Sequence, residues 1–245
     1  MKRAYHKWWS PRLGRDMELL VFGHAGAKVL VFPTRLARFY EYENLRMPEQ
    51  IRDKIESGHM QLFCVDSVDA ESLYCTSAAP YWRIQRHMQY EEYILNEVMP
   101  LMHAMNQHPC TISHGCSLGA FHAANIALRH PHLFSKLCVF SGRFDLNMEI
   151  ESFSNLFSGF YNDDVYYHTP SHFLPGMDCQ SRLNGLRNMD IVMAIGKQDP
   201  FLSGLHLRTV RVGAGNSAKG NNPFLSPLTL RSRQIVRLLD YCQLP

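Results

Sequence analysis

A chain of 245 residues that is 46% hydrophobic, 11% aromatic and 19% charged carries enough apolar side chain for one substantial core, and this composition excludes a disordered polymer. Its 25 lysines and arginines against 22 acids leave a formal charge of +3 and a pI near 8.5, too mild for a nucleic-acid-binding stripe. No run approaches the roughly 18 apolar residues of a membrane span. The opening MKRAYHKWWSPRLGRD lacks the apolar segment of a secretory signal.

The first 35 residues are expected to form strands. Met17–Gly23 (MELLVFG) and Lys28–Thr34 (KVLVFPT) are rich in β-formers, and HAGA between them suggests a short hairpin connection. Met47–Gly58 is expected to be a helix, with Ile51 and Ile55 one turn apart and Gly58 as its stop. Met60–Val65 (MQLFCV) has the pattern of a buried strand ending at Asp66. A long amphipathic helix is predicted from about Tyr81 to Asn106, kinked or ended by Pro100. A short strand at Thr111–His114, a helix at Leu118–His130 and strands at Leu137–Phe140 and Asp190–Ile195 follow, with an irregular excursion over Asn147–Gly185. Strands alternating with helices imply an α/β domain, doubly wound around a mostly parallel sheet, with an antiparallel start.

The cysteines (Cys64, Cys75, Cys110, Cys116, Cys138, Cys179, Cys242) are odd in number, scattered and never spaced C-x-x-C. That usage fits a reducing, cytoplasmic setting better than a disulfide framework. Thirteen histidines are present, but none shows a metal-ligand spacing such as H-E-x-x-H, so no metal or other cofactor is expected.

The segment CTISHGCSLGAFHAAN carries the chemistry. Gly115-Cys116-Ser117-Leu118-Gly119 has the G-x-S-x-G form, with β-branched residues before it and an alanine-rich run after it. This pentapeptide means little without a strand ahead and a helix behind, which lift a serine Oγ above a sheet as a nucleophile elbow. Gly115 and Gly119 would remove side chains where strand and helix meet, and Gly119, Ala123 and Ala127 form a smooth ridge. The plainer alternative is a tightly packed helix with Ser117 as its cap.

If Ser117 is the nucleophile, the N–H of Leu118 points to the oxyanion, and a second N–H is due from the loop after the third strand, at Arg35. Chain order then asks for an acid and a histidine. Asp199, after the strand Asp190–Ile195, is the acid candidate, with Asp145 as rival and a simple turn before Pro200 as the bland alternative.

Taken together, YHKWWSPRLGRDMELLVFGHAGAKVLVFPT, RFYEYEN, MQLFCVDSVDAESLY, ISHGCSLGAFHAAN, VFSGRFDLN and VMAIGKQDPFL resemble the putative esterase (esterase D-like) family of α/β-hydrolases, especially its short bacterial members. The resemblance spans most of residues 5–202. It implies a serine hydrolase acting on small-molecule acyl esters, in a family that includes S-formylglutathione hydrolases, feruloyl esterases and mycolyl transferases. It also implies Ser117 as nucleophile and Asp199 as acid.

The tail departs from that pattern. Residues 1–201 form the expected hydrolase-type domain. Residues 202–245 are atypical, with a loop-rich stretch at 212–227 and helical patterning at about 228–241. The family's catalytic histidine sits in aromatic surroundings after the final strand, and nothing after Phe201 looks like that. His206 alone follows Asp199, too soon for a parallel crossover, which needs about a dozen residues. A frame change near codon 202 or a genuine replacement tail would each explain this. Either leaves Ser117 without its expected base, so the expectation is an impaired esterase, or alternatively a non-catalytic hydrolase-fold binding protein.

Overall fold

The computed structural model describes residues 1–149 and 153–195. Asp199, His206 and the whole of 202–245, with its expected loop and helix, lie outside the described residues.

Strands β1 (Arg3–Ser10) and β2 (Arg15–Phe22) form an antiparallel hairpin, with Arg3 opposite Phe22 and Ser10 opposite Arg15. The hairpin expected across HAGA does not form. β2 is apolar on both faces and takes a partner on each side: β1 on one edge and β4 (Met60–Val65), antiparallel, on the other. Gly23, just before HAGA, at φ +99 and Gly26 within it at φ +87 instead carry the chain past β4. A Cβ at Gly26 would fall on the backbone of Gly58 and His59, so this turn packs directly on the entry to β4. β3 (Ala27–Phe32) therefore lies on the far side of β4.

From there the sheet is parallel through β5 (Thr111–Cys116), β6 (Lys136–Phe140) and β7 (Asp190–Ala194), in the order β1-β2-β4-β3-β5-β6-β7. The antiparallel start on a mostly parallel, helix-covered sheet is the architecture expected from the sequence.

Period-two alternation divides the strands between two cores. Met17, Leu19, Val21, Leu30, Phe32, Phe63 and Val65 face one way, and Leu20, Phe22, Val29, Val31, Leu62 and Cys64 face the other. The second face is covered by α1 (Glu41–Asn44), α2 (Met47–Gln50) and α3 (Arg52–Glu56), through Tyr42 and Ile55. The single helix expected over 47–58 is interrupted at Ile51 (φ −118, ψ 21). Ile51 is only half-buried while Ile55 is fully buried, so no continuous apolar stripe holds the two turns in line.

The first face carries α4 (Pro80–Tyr93), α5 (Met99–Met105) and α6 (Leu118–Arg129). α4 runs into α5 through one π-helical turn, Ile94–Val98. Pro100 can neither donate to the Asn96 carbonyl nor fit a regular turn, and the widened turn just ahead of it takes up the ring without ending the helix. The excursion between β6 and β7 holds α7 (Asp163–Tyr167), α8 (Pro170–Phe173) and α9 (Gln180–Arg187).

From β3 the chain moves to β4, and from β4 it crosses back over β3 to β5. This reversal opens a crevice at the carboxyl ends of β3 and β5, where ligands bind in sheets of this kind. A smaller apolar cluster of Leu73, Ile84, Leu118, Phe121, Leu146 and Phe157 packs the start of α6 against the excursion. No described helix is long and apolar enough to cross a membrane.

Candidate active site

Ser117 is the one residue between β5 and α6. Its backbone is at φ 55, ψ −120, a conformation that costs an ordinary residue about 1–3 kcal/mol. Both flanking glycines are required by backbone contact. A Cβ on Gly115 would fall on the Gly119 carbonyl, and one on Gly119 would fall on the carbonyl oxygens of Phe32 and Pro33. The first turn of α6 thus lies against the end of β3 with no side chain between. Ser113 Oγ donates to the Ala123 carbonyl at 2.9 Å and fixes the same approach one turn further along. The Ser117 N–H donates to Phe140 O at 3.0 Å, tying the strained residue to β6. Ser117 is half-buried between buried Cys116 and Leu118. Its Oγ has no hydrogen-bond partner among the described residues.

The loop after β3 is held by carboxylates. Glu41 accepts the Thr34 N–H at 2.8 Å, and also the Thr34 hydroxyl. Asp69 Oδ2 accepts the Leu36 N–H at 3.1 Å. Asp66 Oδ1 accepts from Phe39 N–H at 3.3 Å and from the Arg38 guanidinium at 2.6 Å. Burial pushes the Asp66 carboxyl above the usual range, against the pull of Arg38. A turn closes from Ala37 N–H to Thr34 O at 3.1 Å, with Leu36 at φ 59. The Arg35 N–H, between two staked neighbours, donates to no group among the described residues. The α6 N-terminus and this turn, which carry the two N–H groups expected at Leu118 and Arg35, are thus brought to one end of the sheet. The Arg35 guanidinium lies 5.6 Å over the Tyr74 ring.

Beyond β6, the buried Arg143 guanidinium donates to the carbonyls of Asp145 (3.1 Å), Leu146 (3.4 Å), Met148 (2.9 Å) and Ser154 (2.6 Å). Burial pulls its pKa down, opposed by Tyr74. The same burial raises Tyr74. Asp145, the rival acid, is engaged elsewhere. Its Oδ2 is 3.3 Å from His172 Nε2, and its Oδ1 accepts the Asn147 N–H at 2.9 Å. His172 Nδ1 meets Tyr161 OH at 2.9 Å, so neither ring nitrogen is left for a serine.

No imidazole among the described residues is hydrogen-bonded to Ser117. His114 is spent on Tyr42 OH (2.6 Å) and Cys138 O (2.7 Å) in the opposite core, and burial lowers its pKa. His130 Nε2 lies 2.9 Å from Glu91. His122 is fully enclosed and 3.0 Å from Asp69 Oδ1. Nothing in the local residue pattern singles out Asp69. Its partner His122 falls on a helix face where histidine is usually plain packing, and the link shows only when β4's following loop reaches α6. Asp199 and His206 lie outside the described residues. Among the described residues no three His, Cys, Asp or Glu side chains converge to hold a metal ion.

The chain matches the Esterase family model, described as "Putative esterase", over residues 40–214. No curated protein matches it. Among solved structures it is similar to FphF of Staphylococcus aureus, described as a fluorophosphonate-binding serine hydrolase, at 15% identity and TM-score 0.62 over 98% of each chain. A ferulic acid esterase gives 15% identity and TM-score 0.62 over 82% of this chain and 81% of that one. An S-formylglutathione hydrolase from Agrobacterium tumefaciens gives 13% identity and TM-score 0.56, over 79% and 85%. At these identities the structures speak for the fold, while the family model covers most of the chain. The chain belongs to the Esterase family and has the α/β-hydrolase fold.

Proposed function

We propose that this chain hydrolyses small-molecule carboxylic esters through an acyl-enzyme on Ser117, which stands on a nucleophile elbow. The observation that carries this is the strained Ser117 backbone at the junction of β5 and α6, beside the carboxyl end of β3. Attack of Oγ on the ester carbonyl gives a tetrahedral oxyanion, received by the Leu118 and Arg35 N–H groups and aided by the α6 N-terminus. Collapse expels the alcohol and leaves the acyl group on Oγ, and water then releases the acid. Asp199 is the acid in this reading.

The base is the weak step. A serine hydroxyl with no imidazole beside it stays protonated, and turnover then rests on oxyanion and binding contacts, which alone give about 10³–10⁴ over water in serine proteases. We therefore expect slow turnover. A reducing, cytoplasmic setting is the reading favoured by cysteines that are odd in number, scattered and never spaced C-x-x-C.

The test is incubation with a fluorophosphonate and with p-nitrophenyl acetate, each for wild type and Ser117→Ala. Labelling and hydrolysis that both vanish in the variant support the reading. Hydrolysis that persists unchanged overturns it, and no labelling of folded wild type removes the activated serine.

A further inference from the structure

Leu36 presents a physical problem. It holds a left-handed backbone at φ 59, which a leucine does not favour, and its side chain is 52% exposed, so packing does not hold it there. What holds it is Asp69. This carboxylate is 1% exposed and uses both oxygens: Oδ2 accepts the Leu36 N–H at 3.1 Å, and Oδ1 lies 3.0 Å from His122 Nε2. Asp69 is itself fixed, since its carbonyl accepts the N–H of Ser72 (3.3 Å) and Tyr74 (2.9 Å).

His122 is 3% exposed and sits on α6, the helix that Ser117 opens. Its ring stacks on Phe32, the last residue of β3, with centroids 6.0 Å apart. The pair therefore links the helix bearing the Leu118 N–H to the turn bearing the Arg35 N–H. With the Thr34 carbonyl accepting the Ala37 N–H at 3.1 Å and the Leu36 N–H on Asp69, the two peptide planes that flank Arg35 are fixed, and its own N–H donates to no group among the described residues.

We propose that Asp69 and His122 are positioning residues for ester hydrolysis. Asp69 clamps the Leu36 peptide so that the neighbouring Arg35 N–H is aimed at the oxyanion, and His122 orients the Asp69 carboxylate against the serine-bearing helix. This rests on the Ser117 reading above. Neither side chain touches substrate. Their effect belongs to the transition state, because an oxyanion donor is worth most when the charge develops.

The experiment compares Asp69→Ala, Asp69→Asn, His122→Phe and His122→Gln with wild type and Ser117→Ala. The readouts are p-nitrophenyl acetate kinetics, phenylboronic acid affinity and hydrogen exchange at the Leu36 amide. Loss of an oxyanion donor outright lowers kcat by about 10²–10³. A misaimed donor is expected to cost less, about tenfold to a hundredfold in kcat, with KM within about threefold and phenylboronic acid weakened by the same factor as kcat. The Leu36 amide should exchange at least about tenfold faster in Asp69→Ala. His122→Gln, which keeps a donor near the Nε2 position, should recover most of what His122→Phe loses. Should Asp69→Ala fail to fold, this Gln–Phe contrast and Asp69→Asn carry the test.

Variants that melt earlier but keep kcat and phenylboronic acid affinity overturn the positioning role while leaving Ser117 in place. Hydrolysis that persists in Ser117→Ala overturns both.

Discussion

The Ser117 N–H donates to the Phe140 carbonyl at 3.0 Å while its own carbonyl accepts the Ala120 N–H at 3.1 Å, so the most strained residue of the site is tied to β6 on one side and to its helix on the other. Those bonds hold φ 55 in place whatever the side chain. Ser117→Gly should therefore keep the fold and relieve strain, raising the urea midpoint by the equivalent of about 1 kcal/mol once glycine's larger unfolded-state entropy is set against it. The same variant should lose all fluorophosphonate labelling. A lowered midpoint would contradict the strain.

Gly119→Ala is the complementary change. Its new methyl would meet the carbonyl oxygens of Phe32 and Pro33, main-chain atoms that cannot swing aside. Forcing α6 away from β3 should cost about 1–3 kcal/mol and cut labelling of Ser117 by at least tenfold. Chemical denaturation and labelling kinetics on one preparation check both effects.

Arg143→Met should loosen the excursion after β6. The change strips donors from the part-buried carbonyls of Asp145, Met148 and Ser154, while the Leu146 carbonyl keeps the Leu156 N–H, and the loss should total about 1–3 kcal/mol. Chymotrypsin under native conditions should then cut at Phe144 or Phe157 far faster than in wild type, a difference that mass spectrometry of the fragments will show.

Acid should destabilise the fold well before carboxylates in general titrate. Burial pushes His87 well below its ordinary value and lowers His114 and His168, so the folded state resists protons that the unfolded chain takes up near pH 6.5. Stability should be complete above about pH 7 and fall as the pH drops through 6.5, by up to about 1.4 kcal/mol per pH unit for each such histidine. Glu91 adds a second loss at lower pH. Burial alone would raise it, but the His130 hydrogen bond with Arg129 and His168 outweighs burial and holds it below the usual range. Its contribution is present above the unfolded value and disappears as the pH falls through the folded one. Urea midpoints from pH 7.5 to 4 should show the fall, and His87→Phe should make its upper part shallower.

Much of this was legible in the residues. Met60–Val65 and Leu118–Arg129 are strand and helix almost to the residue, because one is a dense apolar run and the other an alanine-rich ridge bounded by glycine. Gly115 and Gly119 stand where backbone meets backbone, as their spacing around Ser117 implied. The hairpin partner was missed because β1 reads RAYHKWWS. Its inward positions are Trp8, His6 and Ala4, an alternation disguised by charges on a sheet edge. The Asp69–His122 link was invisible for another reason. It joins positions far apart in the chain through one loop conformation, and no local pattern encodes that.

The contact of Gly119 with the last carbonyls of β3 has a wider bearing. Where the nucleophile stands relative to the sheet is dictated by main-chain atoms, which amino-acid replacement elsewhere scarcely displaces. The cluster beside it, where Leu118 packs with Leu73, Leu146 and Phe157, is built of side chains. Such a division of labour lets substrate preference drift over generations while the line of attack is inherited intact.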